Sequence, residues 1–290
     1  MIEAYLIHLL ILIGIYFILA ISLQVSLGFT GLLNLGHVAF YAIGAYTSAL
    51  LILNGFPFWF SFLMAGVLAM IAGLILALPI RKLKGDYLAL ATMGFTYVVY
   101  AIIINWSELT NGPLGLPNIN KPSLFGFSFA SNLSFLILVV IITAITSFIV
   151  YKIVKSPFGK VLESIRDDEL ASQSLGKNTF KMKSFALAIS AFFAGIAGSL
   201  YAHYVTYIDP TSFTIVQLIP VLAIIIIGGL ASLKGTLAAT VILVLIPELL
   251  RFIGLSSSIV GPARQIIYAL ILLLIMLYKP KGLYGKVELD

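Results

Sequence analysis

Long apolar runs separated by short polar breaks make up almost the whole chain. A helix needs about 20 apolar residues to cross the hydrocarbon core of a bilayer. By that measure the sequence predicts nine spans, near residues 5–24, 37–53, 57–79, 87–106, 132–151, 184–206, 213–228, 236–253 and 262–278. The seventh run is short, and Pro220 is expected to break it. We therefore predict an all-α polytopic membrane protein of about 8–10 transmembrane helices, with residues 1–290 forming a single transmembrane domain.

One long segment, residues 152–183, interrupts the apolar pattern with charge. It holds seven basic and four acidic residues, which are 11 of the 28 charged residues in the chain. Because ionisable side chains are costly inside a bilayer, this segment must lie on one aqueous face. Ser156-Pro157 is typical of a helix start, and apolar residues at positions 158, 161, 162 and 165 give that helix one apolar face. A second short helix is expected over residues 167–175, ending at Gly176.

This pattern leaves two interpretations of residues 152–183 open. The segment is either an amphipathic connector that lies on lipid headgroups or a docking element for a soluble partner. Its orientation follows from the loops, because 14 of the 17 Lys and Arg residues fall on its side of the membrane and 3 on the other. We predict that this segment and the C-terminus are cytoplasmic and that the N-terminus is outside. Residues 27–36 could instead re-enter the membrane, which would change the span count by one.

Composition excludes several classes of protein. The chain is 61% hydrophobic and 10% charged, with a mean hydropathy of +1.13, so a water-soluble domain could not bury its apolar surface. The net charge of +6 does not require nucleic acid, because basic residues at the inner face meet anionic headgroups of the lipid bilayer. The chain has no cysteine, and its three histidines lack metal-ligand spacing, so neither a metal nor another cofactor is expected. Few ionisable residues lie in the spans, which disfavours a proton-coupled carrier.

A cluster of charged residues lies near the outer end of the eighth predicted span. Glu248 and Arg251 are three residues apart, and Arg264 lies across the following loop. We interpret them as a structural ion cluster, with a substrate contact as the alternative.

Two glycine-rich segments interrupt apolar sequence, at residues 28–37 and 228–235. Their candidate backbone breaks are Gly28, Gly31, Gly36, Gly228, Gly229 and Gly235. Irregular backbone at membrane depth persists only against protein or a water-filled cavity, and paired breaks point to a translocation path. Aligning Gly31 with Gly229 pairs Asn34 with Ser232. The alternative is two tight cytoplasmic turns.

The same segments supply candidates for the translocation path. A zwitterionic solute can pass along small residues and neutral polar groups without a charged site. Helix packing is the alternative role for each candidate. The candidates are Asn34, His37, Tyr41 and Ser232.

Four separated stretches carry recognisable motifs. They are GLLNLGHVAFYAIGAY at 31–46, LTNGPLGLP at 109–117, SPFGK through IRDDELA to LG at 156–176, and IGGLASLKGT at 227–236 with LIPELLR at 245–251. In this order they resemble the LivM-type permease of bacterial and archaeal branched-chain amino acid ABC importers. The match is looser at Lys234–Thr236 and Ala238-Ala239, where the family is expected to have a bulky aromatic residue, Gly-Pro and a later Gly.

The resemblance implies a subunit of the cell membrane with several partners. These are a homologous LivH-type permease subunit, two cytoplasmic ABC ATPase subunits and an external substrate-binding protein. It also implies that part of residues 152–183 is a coupling helix seated in an ATPase cleft. The coupling residues would be Arg166, Asp167, Asp168, Glu169, Ala171 and Gly176. None of the three Gly-Lys pairs is followed by Ser or Thr, so the chain has no Walker A motif and is not expected to be an enzyme.

The leading functional hypothesis is uptake of branched-chain amino acids, driven by ATP hydrolysis on separate subunits. An ABC permease for urea, short amides or another small solute such as a sugar or nucleoside is the nearest alternative. A stand-alone secondary carrier or channel would need an ionisable site in the membrane. A membrane enzyme acting on lipid-linked substrates would have to use the acidic run Asp167–Glu169.

Overall fold

The computed structural model describes residues 2–80, 83, 85–124, 127–252, 257–279 and 281–285. Within these ranges the chain forms twelve α-helices and one antiparallel pair of two-residue strands, β1 (Ser123–Leu124) and β2 (Phe127–Ser128), so the all-α prediction is confirmed. The helices are α1 (Ile2–Leu23), α2 (His37–Leu53), α3 (Phe58–Ile80), α4 (Asp86–Asn105), α5 (Ser107–Thr110), α6 (Asn132–Lys155), α7 (Pro157–Asp167), α8 (Glu169–Ser174), α9 (Thr179–Val205), α10 (Leu218–Gly228), α11 (Leu233–Phe252) and α12 (Ser257–Tyr278).

Each predicted apolar run is helical. Among the described residues, five segments are long and apolar enough to cross a membrane, namely Glu3–Gly28, Phe58–Pro79, Asp86–Asn105, Asn132–Lys155 and Thr179–Val205. Shorter apolar helices occupy the other predicted positions, at His37–Leu53, Ile215–Gly228, Leu233–Ile246 and Gln265–Ile275.

Pro220 does not break the seventh run, and that prediction is wrong. It lies in the first turn of α10, directly after a 3-10 turn at Ile215–Gln217. The first N–H groups of a helix have no intrahelical partner, so a proline there loses no hydrogen bond.

The bundle is centred on α9, which packs closely against α2 and α3. A Cβ atom added to Gly44 of α2 would lie 2.2 Å from the carbonyl oxygen of Gly195 on α9. One added to Gly195 would lie 2.6 Å from the carbonyl oxygen of Ala65 on α3. Ser199, one turn after Gly195, donates a hydrogen bond to the Ser48 hydroxyl at 2.7 Å. The small residues of α9 therefore form a surface for close helix packing.

The two ends of the bundle differ in what they carry. The end that holds α7 and α8, which we call the α7–α8 end, also holds the C-terminal ends of α1, α6 and α10. The opposite end holds the connections 106–131 and 206–217, which pair through Leu116 and Ile208. Four of the 14 basic residues predicted to lie on the cytoplasmic side fall outside the described residues, namely Arg81, Lys82, Lys84 and Lys286.

Asp209 caps the turn that leads from α9 towards α10. Its carboxylate accepts hydrogen bonds from the Thr211 N–H at 2.7 Å and the Ser212 hydroxyl at 2.9 Å. Burial alone would raise the pKa of the Asp209 carboxyl, but these hydrogen bonds outweigh it and hold the pKa below its ordinary value. The turn is thus fixed by a charged cap at the opposite end.

We expect Gly44→Ala to destabilise the bundle, because the added methyl group would force α2 away from α9. Overpacking of this kind costs about 1–3 kcal/mol. The measurement is the apparent melting temperature of the purified protein in detergent. Gly94→Ala on α4 is the matched control, since a Cβ there meets nothing within 4 Å. Equal melting temperatures for the two variants would contradict the close α2–α9 contact.

Candidate functional site

The two glycine-interrupted segments lie against each other at the α7–α8 end, and one side chain joins them. We call residues 28–37 the first break and residues 228–235 the second break. Gln24, in the π-helical turn Gln24–Gly28 that continues α1, is fully buried. Its amide nitrogen donates to the Gly229 carbonyl and to the Thr236 hydroxyl, each at 2.9 Å. Its amide oxygen accepts from the Ala231 N–H at 3.1 Å.

These three hydrogen bonds, which we call the Gln24 junction, explain why the second break is tolerated. Gly229 and Ala231 have positive φ angles of 96° and 57°, so their backbone groups cannot follow a helical pattern. Buried backbone groups need partners, and Gln24 supplies them from 205 residues away along the chain. Single π-helical turns are also frequent at functional sites.

The first break is not a tight turn. Eight residues, 29–36, separate the π-helical turn from α2. The Leu35 N–H donates to the Thr92 hydroxyl at 3.0 Å, and the Thr96 hydroxyl donates to the Leu35 carbonyl at 3.1 Å. At the start of α2, the His37 Nε2–H donates to the Leu19 carbonyl of α1 at 3.0 Å. The chain therefore turns back beside α1, and the first break connects two helices of the bundle.

The second break is a tight turn closed by later residues. Ser232 accepts a hydrogen bond on its hydroxyl from the Gly235 N–H at 3.1 Å, which caps the start of α11. On its other side, the N–H groups of Leu283 and Tyr284 donate to the carbonyls of residues 227 and 228, at 2.8 Å and 3.1 Å. A Cβ on Gly229 would lie 2.2 Å from the Gly285 nitrogen. This turn is thus held from the Gln24 side and from the 281–285 side.

The four candidate path residues are all buried, and neither of the two cavities described below brings them together. The Asn34 amide oxygen accepts from the Gly36 N–H at 2.9 Å, and the Tyr41 ring packs against the Tyr201 ring. Ser232 lines a cleft at the α7–α8 end. Within the described part of the chain, the Asn34 amide nitrogen and the His37 Nδ1 have no hydrogen-bond partner. Their role in a path remains a prediction.

Of the predicted coupling residues, Arg166 faces the bundle. Its guanidinium Nη1 donates to the Gly28 carbonyl at 3.0 Å, and its Nη2 lies 2.8 Å from the Asp167 carboxylate. The Arg166 side chain is only 14% exposed. The apolar face of α7 is also covered, because Leu162 is buried in a core cluster with Phe29 of the first break. The predicted face of α7 therefore packs on protein.

The helix α8 presents a different surface. The Asp168 carboxylate caps it by accepting from the Ala171 N–H at 2.9 Å, and Glu169 forms an ion pair with Lys183 at 2.7 Å. Gly176, with φ of 77°, ends this segment as predicted. Two large apolar side chains are exposed among the polar ones: Leu170 in α8 is 66% exposed, and Leu175, directly after it, is 76% exposed. Ala171 is exposed beside them, so the segment presents an apolar patch rimmed by polar residues.

A cavity of about 390 Å³ opens at the opposite end of the bundle. Glu248, which is buried, accepts a hydrogen bond from the Tyr5 hydroxyl, and the His8 Nδ1 lies 2.5 Å from the Tyr204 hydroxyl. The remaining wall is mainly aromatic and aliphatic. The side chains of Arg251 and Arg264, expected to pair with Glu248, lie outside what the structure describes. Within the described residues, no group of three or more His, Cys, Asp or Glu side chains forms a metal site.

Comparisons with known proteins point to one family. The family described as "Branched-chain amino acid transport system / permease component" matches residues 5–278. The branched-chain amino acid permease protein LivM of Escherichia coli (strain K12) is 37% identical, over 93% of this chain and 67% of that protein. The probable permease LivH of Methanocaldococcus jannaschii is 24% identical, over 92% and 88%. The guanosine permease NupQ of Bacillus subtilis is 26% identical, over 64% and 63%. No solved structure matches.

We expect Gln24→Leu to destabilise the protein, because the Gly229 carbonyl and the Ala231 N–H lose their partner while staying buried. Leaving such groups unpaired costs about 1–3 kcal/mol each, less any relaxation. The apparent melting temperature in detergent should fall clearly. The control is Gln173→Leu, on the exposed α8, whose amide nitrogen donates to the Thr179 hydroxyl. A Gln24→Leu protein as stable as the control would show that the junction does not hold the breaks.

Proposed function

The chain belongs to the permease family of branched-chain amino acid transport systems, and we propose that two cytoplasmic ABC ATPase subunits drive its transport, one of them docking on α8. As a permease subunit it supplies the membrane path, and the energy comes from its partners. In this proposal α7 transmits the movement of α8 to the two breaks.

The observation that carries the proposal is a continuous set of contacts from α7 to both breaks. Arg166 donates to the Gly28 carbonyl. Gly28 lies directly against Gln24, since a Cβ on Gly28 would meet the Gln24 amide oxygen at 1.9 Å. Gln24 in turn bonds Gly229 and Ala231 of the second break. A displacement of α7 would therefore act on both breaks together, which is the kind of packed, hydrogen-bonded route that couples distant sites.

The exposed surface of α8 supports docking rather than simple solvation. Leu170 and Leu175 are large apolar side chains on a segment that is otherwise charged. Exposed apolar groups rimmed by polar residues are typical of protein interfaces. Glu169 is paired internally with Lys183, so we assign the main contact to these leucines and not to the acidic residues.

The family also supports a membrane orientation, a partner permease and an external substrate-binding protein. We propose that the α7–α8 end is cytoplasmic, in agreement with its excess of basic residues. The similarity to LivH of M. jannaschii supports pairing with a homologous permease of the same fold. An external substrate-binding protein would then deliver the solute to the opposite end of the bundle.

The proposed substrate is a branched-chain amino acid. The cavity at the opposite end joins a buried carboxylate, Glu248, to an aliphatic wall that includes Leu12 and Ile219. A carboxylate complements an ammonium group, and an apolar wall complements a branched side chain. A nucleoside is the second candidate, because NupQ is named for guanosine and tyrosine rings line the same cavity. Competition of labelled leucine uptake by isoleucine, guanosine and urea would separate these substrates.

We expect Leu170→Asp combined with Leu175→Asp to abolish binding of the ATPase subunits, because two charges would be buried at the apolar contact. The measurement is co-purification of the ATPase subunits with the tagged permease. Leu114→Asp is the control, since Leu114 is 73% exposed at the opposite end. Undiminished co-purification of the double variant would contradict docking on α8.

We expect Arg166→Gln to uncouple transport without releasing the ATPases. Removing the guanidinium breaks the contact to Gly28. Uptake into proteoliposomes should then fall about tenfold, which is within the range measured for substitutions that weaken coupling between two sites. ATP hydrolysis should persist. Lys177→Gln, an exposed basic residue near the same loop, is the control. If Arg166→Gln supports normal uptake, the route through Gly28 does not transmit movement. If the ATPases dissociate instead, Arg166 belongs to the docking surface.

A further inference from the structure

A second cavity, of about 530 Å³, opens at the α7–α8 end between α6, α7 and the second break. We call it the lysine cleft, because Lys155 of α6, Lys160 of α7 and Lys234 of α11 all line it. Among the described residues, Glu163 is the one acidic side chain in its lining. The cleft therefore has an excess of positive charge.

None of these three lysines forms an ion pair within the described part of the chain, and Glu163 offsets only part of their charge. The two ion pairs found there are Arg166 with Asp167 and Lys183 with Glu169. All three lysine residues are exposed. The excess of like charge in one cleft is repulsive, and a bound anion would relieve that repulsion. The charge pattern thus points to an anionic ligand.

The floor of the lysine cleft is apolar. Phe29 and Ala231, from the first and second breaks, and Val154 of α6 are buried beneath it. Tyr151 and Tyr284 stand at its edge with half or more of their surface exposed. Tyrosine is enriched where a membrane meets water. A free inorganic anion needs no such floor, whereas a lipid brings both a phosphate and an acyl chain.

The cleft is also continuous with an exposed apolar surface of α6. Ile141, Ile145 and Phe148 are all more than half exposed. Their spacing places them on one face of α6, and Lys155 falls on the same face two turns further on. An acyl chain can lie along this stripe while its headgroup reaches the lysines.

We infer that the lysine cleft binds the headgroup phosphate of an anionic phospholipid from the leaflet at the α7–α8 end. That this leaflet is the cytoplasmic one rests on the proposed function, but the binding does not. Basic pockets between transmembrane helices are suited to anionic headgroups. The lipid would contact Phe29 and Ala231, so its occupancy would bear directly on the two breaks joined by Gln24.

The test is native mass spectrometry of the purified full chain in detergent, titrated with phosphatidylglycerol or with phosphatidylcholine. We expect wild-type protein to retain phosphatidylglycerol in preference. Lys155→Gln, Lys160→Gln and Lys234→Gln together should lower the apparent affinity about tenfold or more, given the contribution of each basic residue near an anionic surface. The matched control removes the same charge elsewhere, with Lys177→Gln, Lys181→Gln and Lys279→Gln. These are exposed residues, and melting temperatures will confirm that both variants fold.

Each other outcome overturns the inference. Equal loss of lipid from both triple variants would indicate general attraction to a basic surface. Displacement of the lipid by equimolar inorganic phosphate would assign the site to a free anion. If the cleft variant keeps its lipid but no longer co-purifies with ATPase subunits, the cleft is a protein-docking surface. Because lipid binding is measured without ATPases or transport, its failure is distinct from failure of the proposed function.

Discussion

Hydrocarbon offers no hydrogen bonds, so a backbone that leaves the helical pattern inside a membrane protein must find partners within the protein. The Gln24 junction meets this requirement for the second break, and hydroxyls of α4 meet it for the first. The irregular segments are therefore held by side chains rather than by regular secondary structure. Side-chain contacts can shift without unwinding a helix, which makes these breaks suitable moving parts in an otherwise close-packed bundle.

The sequence predicted what is local. The nine apolar runs, the helix start at Ser156 and the stop at Gly176 follow from periodicity and from backbone preferences, and the structure has them. The prediction for Pro220 was wrong because proline is tolerated in the first turn of a helix, whereas in the middle of a helix it breaks the hydrogen-bond pattern.

The contacts of the candidate site were not predictable in the same way. Gln24 is a polar residue within an apolar run, which signals a buried contact, but its partners lie 205 and 212 residues away. Arg166 looked like part of an aqueous docking surface, yet its guanidinium turns inward to Gly28. The exposed leucines Leu170 and Leu175 lie among charged residues, and the sequence pattern did not single them out. A single sequence reports periodicity and charge, and it does not report which distant segments meet.

The strap formed by residues 281–285 has a consequence for the order of assembly. Leu283 and Tyr284 donate to the carbonyls of Ile227 and Gly228, which emerge from the ribosome more than 50 residues earlier. Until the strap arrives, those carbonyls lack these partners, so the second break is finished only after α11 and α12 have been synthesised. Synthesis therefore ends with the residues that close the second break, and a nascent chain halted before residue 283 would have its helices in the membrane but its second break still open.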